Sequence, residues 1–464
     1  MNRKISIAFK IVSAGLALSC AMFGMAGCST FQKPELETPA IGQNIPSEWL
    51  LELTSDAGPE VTWPMIYKDP VLVKYIELAM LENFDIKIAQ SRIVGAEAEL
   101  KRASARLKPR FDIGGSGSVS AFFAELQDPF DSYGLSVSGR WDPDLFGQSQ
   151  SVVDGATANL HAQEALSEDV RQAIIATTAR AYIRAVEAKL QVDLAKTNLE
   201  FLTESRRISE ARYRLGDTAK GDFSFVEANY QSALASYEST VQSARAARRA
   251  LSILLGGYPE ETIDLASTLY VPNGMPPRGL PAKVLERRPD IIAARAQLAG
   301  RIFAVQGAEL AKWPSLDISG GLSGGSSIAD LFDPAEYIAR LGAGIAQVLL
   351  DDGSLDAGIE SAKANLDISL LAYEQRLRRA LGEITDAYDR AETLRRTLVN
   401  LEASSRAANE ALRLESIQFD LGESSLLDVL QVQTRVNNID ASLIRTKAAL
   451  IETGITANES IAAF

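Results

Sequence analysis

Tyr213–Asp222 reads YRLGDTAKGD, and Phe419–Asp428 reads FDLGESSLLD. In both, an aromatic residue leads, Leu-Gly follows two positions later, and an Asp stands six residues after the Gly. The two phrases lie 422 − 216 = 206 residues apart, and the spacing recurs along the chain. Asp85-Ile86 matches Asp290-Ile291, and Pro109, Asp112 and Ile113 match Pro314, Asp317 and Ile318, all at 205. Gly147 matches Gly353, and Ala181-Tyr182 matches Ala387-Tyr388, at 206. This period far exceeds the roughly 20–50 residues of solenoid repeats. The sequence therefore predicts two copies of a domain-sized unit in one pseudo-symmetric body.

Each copy reads as helix, two strands, then long helices. In the second, Leu377, Ile384, Ala391, Leu398, Ser405, Leu412 and Phe419 recur in steps of seven. Ala380, Ala387, Leu394, Leu401 and Ala408 make a companion seam. Two apolar positions of a sustained heptad predict coiled-coil packing. The helix breaks at Gly422, where a residue lacking Cβ takes a left-handed turn, and a second run covers about Leu426–Ala457. The first copy repeats this from Ser151 to Tyr213, with a break at Gly216 and a return to about Leu255, on a seam richer in Ala. A helix of ~65 residues extends roughly 100 Å at 1.5 Å per residue, which suits a long-axis bundle or tube.

The segments between helices alternate with period two. Tyr133, Leu135, Val137 and Trp141 share one face, and Ser136, Ser138 and Arg140 the other. Phe111, Ile113, Val119 and Phe123 likewise oppose Asp112, Ser116, Ser118 and Ser120. Strands are predicted at about 110–123, 132–142, 315–325 and 340–350. Such alternation fits transmembrane strands of about ten residues or a soluble antiparallel sheet. Four strands cannot close a barrel, and lipid does not tolerate open edges, so closure in a membrane needs several chains. Three would supply twelve strands, a number that the residues alone leave open.

The N-terminus reads as a leader. Arg3, Lys4 and Lys10 precede an apolar, small-residue run, Ile11–Gly27, as in a secretory signal. Met25-Ala26-Gly27-Cys28 resembles a lipoprotein cleavage box, with Met where Leu is usual. Cys20 has a shorter apolar run before it, so Cys28 is taken as the acylation site; ordinary cleavage would instead leave it a free thiol. Ser29 after the Cys implies, by the same resemblance, outer-membrane retention. Losing the leader takes 47 basic residues to 44 against 60 acidic ones, a balance of −16. That acidity argues against a nucleic-acid partner. The expected organisation is leader 1–27, lipidated extended segment 28–60, first repeat 61–260, linker 261–280 and second repeat 281–464.

The chain resembles the TolC family of outer-membrane efflux ducts, in the lipoprotein branch serving RND-type drug exporters. Trp63, Asp69-Pro70, Asn83, Asp85 and Ala89 open the pattern, and WDPDLFG at Trp141–Gly147 follows the second strand. LPAKVLERRPDI, Leu280–Ile291, is the most specific signature; physically it is a helix start, with Pro289 in the first turn and Asp290 against the dipole. Val348–Gly353 lacks the Pro that the family places there, and the C-terminus lacks its Gly-rich finish. The resemblance implies a homotrimer whose four strands per chain build one 12-stranded β-barrel, continued by a helical periplasmic tunnel (an α-barrel). It implies that Leu215, Gly216, Asp217 and Thr218, with Leu421, Gly422, Glu423 and Ser424, are hairpin tips contacting a periplasmic adaptor. It also implies an acidic constriction at Asp428, with Asp222 as the weaker equivalent. The expected partners are further copies of the chain, the adaptor, the inner-membrane transporter and outer-membrane lipid. The expected cargo is drugs or other small molecules, with type I protein secretion or metal efflux as alternatives; the residues themselves do not reveal it.

Enzyme readings fare poorly. His161 is the only histidine, so His-based triads or metal sites have one candidate centre. The glycine runs at 114–118 and 320–325 lack the Gly-Lys-Ser/Thr of a phosphate loop. Asp351-Asp352 lacks partners for acid–base work. No cofactor is expected beyond the lipid on Cys28.

Overall fold

The computed structural model describes residues 69–120, 130–272, 274–275, 281–325, 327 and 333–462. The leader, Cys28, the 28–60 segment, Trp63, Phe123 and Leu280 lie outside them. The described elements are helices α1 (Pro70–Glu82) and α2 (Phe84–Ala105), strands β1 (Arg110–Ser120) and β2 (Phe130–Trp141), and helices α3 (Gln148–Leu215) and α4 (Lys220–Leu254). The second copy follows as α5 (Pro281–Arg287), α6 (Pro289–Leu310), β3 (Ser315–Gly324), a 3₁₀ turn (Pro334–Glu336), β4 (Ile338–Ala346), α7 (Ser354–Asp420) and α8 (Leu426–Ser460).

The duplication survives at the level of element boundaries. Helices α2 and α6 each hold 22 residues, displaced by 289 − 84 = 205. Helices α4 and α8 each hold 35, displaced by 426 − 220 = 206. Both long helices start after a left-handed glycine, Gly147 at φ 86° and Gly353 at φ 85°. An aspartate reaches over each start: Asp144 accepts from the Ser149 and Gln150 amides, and Asp351 from those of Gly353 and Leu355. Asp351 is thus a helix-start residue.

Every residue of the two heptad seams of α7 is buried or half-buried. Ile384, Ala387, Tyr388 and Ala391 pack against Leu450 and Ala457 of α8. Ile451 and Ile455, also on α8, pack against Ile175, Ala179, Tyr182 and Val186 of α3. One helix therefore joins the cores of both copies. Ion pairs reinforce the seam, Arg180 to Glu459 at 2.7 Å and Arg184 to Glu452 at 2.7 Å. Where α3 crosses α6, Gly155 faces Gly300, and a Cβ built there would meet the Gly300 carbonyl at 3.9 Å.

The four strands form one antiparallel sheet in the order β1-β2-β3-β4. The second and fourth strands differ from the sequence expectation. β2 starts at Phe130, and β4 runs Ile338–Ala346, not to 350. Its ladder ends because Ala346 pairs with Ser315, the first residue of β3, leaving Gln347–Leu350 no partner residues.

A second correspondence escaped the sequence reading. Asn83, before α2, accepts the Asp85 amide on its side chain and donates from Nδ2 to the Leu254 carbonyl at 2.9 Å. Arg288, before α6, donates from Nη1 to the Ser460 carbonyl at 3.0 Å. Leu254 and Ser460 are the last residues of α4 and α8. Each copy thus fastens the end of its 35-residue return helix to the start of its 22-residue helix. In the second, Arg288 also holds Asp290 through two bonds of 3.0 Å and Glu383 at 2.9 Å. Its neighbour Asp169 is pushed above the usual carboxylate range, chiefly by burial and then by the Asp290 charge.

Candidate functional site

Two surfaces stand out: the faces of the sheet and the ends of the helical hairpins. Residues directly paired across strands share a face, so the register sorts every strand residue. On one face, Phe111, Ile113 and Val119 of β1 line up with Tyr133, Leu135, Val137 and Trp141 of β2. Ile318 and Leu322 of β3, with Leu341 and Ile345 of β4, continue it. These residues are exposed or only half-buried, Ile113 at 77% and Leu341 at 84%. The other face carries Arg110, Asp112, Ser116, Ser118, Ser136, Ser138, Arg140, Asp317, Ser319, Ser323 and Arg340; at the strand ends Ile338 falls on this polar face and Asp131 on the apolar one. A contiguous uncovered apolar face opposite a wet one marks contact with membrane or partner. Strands of 9–12 residues match the length needed to cross a bilayer. β1 and β4 are the sheet's two edges. No described helix is long and apolar enough to cross a membrane.

The hairpin ends are built alike. Gly216 and Gly422 are left-handed, at φ 83° and 79°. The residue after each, Asp217 or Glu423, donates its amide to the carbonyl five residues back, at 2.9 and 2.8 Å. This closure terminates a helix by satisfying carbonyls that would otherwise lack partners. Leu215, Gly216 and Asp217 are exposed, as are Leu421, Gly422 and Glu423; Thr218 and Ser424 are half-buried. The two ends are also tied to one another. The Arg212 guanidinium sits 4.8 Å over the Phe419 ring, and Leu202 and Val226 of the first hairpin bury Leu430 of the second. Tyr213 stacks on Phe223 with ring centroids 5.4 Å apart.

The two candidate constriction residues differ. Asp428 closes a capping box: its Oδ2 accepts from the Ser425 amide at 3.1 Å and from the Ser425 hydroxyl at 2.6 Å, while Ser425 Oγ accepts the Asp428 amide. The Ser425 hydroxyl, then its amide, holds the Asp428 carboxyl below the usual range. Asp222 has no such box, because Ala219 occupies the cap position and offers no side-chain acceptor. Both carboxylates are exposed. His161 is exposed on α3, and no metal-binding group of His, Cys, Asp or Glu is found among the described residues.

Long paired helical hairpins and a sheet with one lipid-compatible face describe an outer-membrane efflux channel protein. The family model for the outer membrane efflux protein matches residues 75–257 and 280–456. The chain belongs to that family. It is 28% identical over 392 residues to nodulation protein T of Rhizobium leguminosarum bv. trifolii, covering 83% of this chain and 84% of that one. It is 26% identical over 463 residues to the pyoverdine export outer membrane protein OpmQ of Pseudomonas aeruginosa, covering 95% and 94%. Its fold matches the crystal structure of the Campylobacter jejuni CmeC outer membrane channel with a TM-score of 0.80, at 21% identity and over 93% and 94% of the two chains.

Proposed function

We propose that three copies of this chain form the outer-membrane duct of a tripartite efflux pump, closing their sheets into one 12-stranded barrel above a tunnel of helices. The observation that carries the reading is the sheet: an apolar face left uncovered, a polar face opposite, and edges at β1 and β4. In lipid such edges must pair, and a cyclic arrangement puts β4 of one copy beside β1 of the next. Their antiparallel alternation makes that junction antiparallel too. Native mass spectrometry in detergent is expected to give three chains, with Cys28 acylated at the mature N-terminus. A stable monomer with full strand content refutes the barrel, and an unmodified Cys28 refutes the lipid anchor.

The exposed tips around Gly216 and Gly422 are the surface offered to a periplasmic adaptor, which couples the duct to an RND-type inner-membrane transporter. A Gly422→Cys variant is suited to crosslinking that partner. Small-molecule cargo is favoured by the similarity to a pyoverdine exporter. Within the tips, Asp428 and Asp222 form the acidic constriction, where facing carboxylates around an axis attract cations. Asp428→Ala is expected to weaken cation selectivity and multivalent-cation block in planar bilayers while leaving the trimer intact. Selectivity and block equal to the parent would reduce Asp428 to its cap role.

A further inference from the structure

The polar face of the sheet carries three arginines, and they are not equivalent. Arg110 is engaged: its fork holds Asp112 through bonds of 2.8–3.1 Å. Arg140 approaches Asp317 only to 3.7 Å, beyond a normal hydrogen bond. Arg340 has no carboxylate within ion-pair reach among the described residues; its Nη1 donates to the Ser323 hydroxyl at 3.0 Å. Thus one guanidinium is weakly matched and another is matched by no acid among the described residues, in a chain whose formal charge is −13.

The register sets what lies between them. Arg140 pairs with Ser319, which pairs with Gly342; Ser138 pairs with Gly321, which pairs with Arg340. Arg140 and Arg340 therefore stand two strands apart on adjacent rungs of the same face. Adjacent strands lie about 4.8 Å apart, so two long side chains can converge on one small group. The floor between them is Gly321 and Gly342, which put no side chain in the way, flanked by the Ser138 and Ser319 hydroxyls. The result is a groove of about 700 Å³ walled by Arg140, Arg340 and the paired Arg110 and Asp112, and floored by glycine and serine.

Guanidinium forks beside hydroxyl donors are the composition that recognises carboxylate, sulfonate or phosphate oxygens. The geometry points to an oxyanion-binding station on the polar face, with Arg140 and Arg340 as its two clamps and Ser138 and Ser319 as its floor donors. It would take the acidic group of an exported molecule on its way through the barrel. This deepens the duct reading and rests on it, since barrel closure turns the polar face toward the lumen. A weakly paired arginine is suited to a transit site: with Asp317 only at 3.7 Å from Arg140 and Asp112 already held by Arg110, an incoming anion displaces no tight ion pair, and an exposed groove lets the anion leave.

The test uses the full chain in detergent micelles and pyranine, a fluorescent trisulfonate, followed by anisotropy at low salt. The parent is expected to bind it, with inorganic phosphate competing and a cationic dye of similar size not competing. Replacing both Arg140→Gln and Arg340→Gln should weaken binding at least about tenfold, the scale set by losing charged hydrogen bonds. Arg396→Gln, which removes an equal charge from an exposed helix position paired to Glu392, should change it less than about twofold. Unchanged binding in the double variant, an equal loss in Arg396→Gln, or no binding by the parent overturns the station. Conductance and oligomeric mass on the same preparations separate the two readings. A conducting trimer with unchanged pyranine binding sinks only the station; a non-conducting monomer sinks the duct.

Discussion

Arg288→Met removes the clasp of the second copy while keeping an unbranched side chain of similar length. In the parent, the Arg288 side chain is 11% exposed and that of Asp290 17%. Four hydrogen bonds are lost: two to Asp290, one to Glu383 and one to the Ser460 carbonyl. The Glu383 contribution is small, because that carboxylate is 56% exposed and water replaces its partner. The dominant cost is a largely buried Asp290 left without its cation, close to Asp169. Removing one member of such a pair costs about 3–5 kcal/mol. At an unfolding entropy of about 2.1 cal/mol/K per residue over 464 residues, that lowers the melting midpoint by roughly 3–5 °C. Arg288→Met/Asp290→Asn should melt higher than Arg288→Met alone, since the orphaned charge is gone. The pH dependence has a definite sign. Asp169 is raised above its ordinary value by burial and the Asp290 charge, so the folded state holds that proton more tightly than the unfolded chain. Stability then increases as pH falls through the raised folded value. Losing the nearby Arg288 charge enlarges the effect, so the deficit of Arg288→Met should be smaller at pH 5 than at pH 8. Circular dichroism melts of the three proteins at both pH values measure all of this. A shift under about 1 °C for Arg288→Met, or no recovery in the double variant, would refute the clasp argument.

Two further perturbations probe the tips. Gly422→Ala meets no atom within 4 Å of its new Cβ, so its cost is backbone strain alone at φ 79°. That cost is about 1–2 kcal/mol, and Gly422→Asn should cost less; faster amide exchange at 415–425 measures it. Ser425→Ala opens the capping box, so amides 425–429 should exchange faster than in the parent. The Asp428 carboxyl sits below its ordinary value when folded, so its contribution is present above the unfolded value and is lost as pH falls through the folded one. Parent and Ser425→Ala protection at the tip should therefore converge at strongly acid pH; a constant difference down to pH 2 would assign the protection to something else.

Much of this architecture was legible in the residues, because its causes are local. A heptad is a property of neighbouring turns, and every seam position from Leu377 to Phe419 is buried or half-buried. Gly216 and Gly422 end their helices because a residue without Cβ accepts positive φ there. Strand alternation told the wet side of β1 and β2 from the dry one before any pairing was known. The repeat itself is an offset, and element boundaries reproduce it.

What the sequence could not decide joins residues far apart in the chain. Asn83 meets Leu254 across 171 positions and Arg288 meets Ser460 across 172. The repeat held a hint, since Asn83 and Arg288 stand two residues before the matched aspartates Asp85 and Asp290, yet an amide and a guanidinium do not look alike until both reach a helix end. Arg212 over Phe419 joins two helix ends that only the packing of one hairpin on the other brings together. The groove between Arg140 and Arg340 depends on register, and a slip of one residue would send Arg340 to the opposite face. By itself the sequence determined which segments are helix, strand and turn, since those follow from side-chain periodicity and backbone sterics. Which charges face one another was decided only by the tertiary structure, because pairing across hundreds of residues follows from the packing of whole elements.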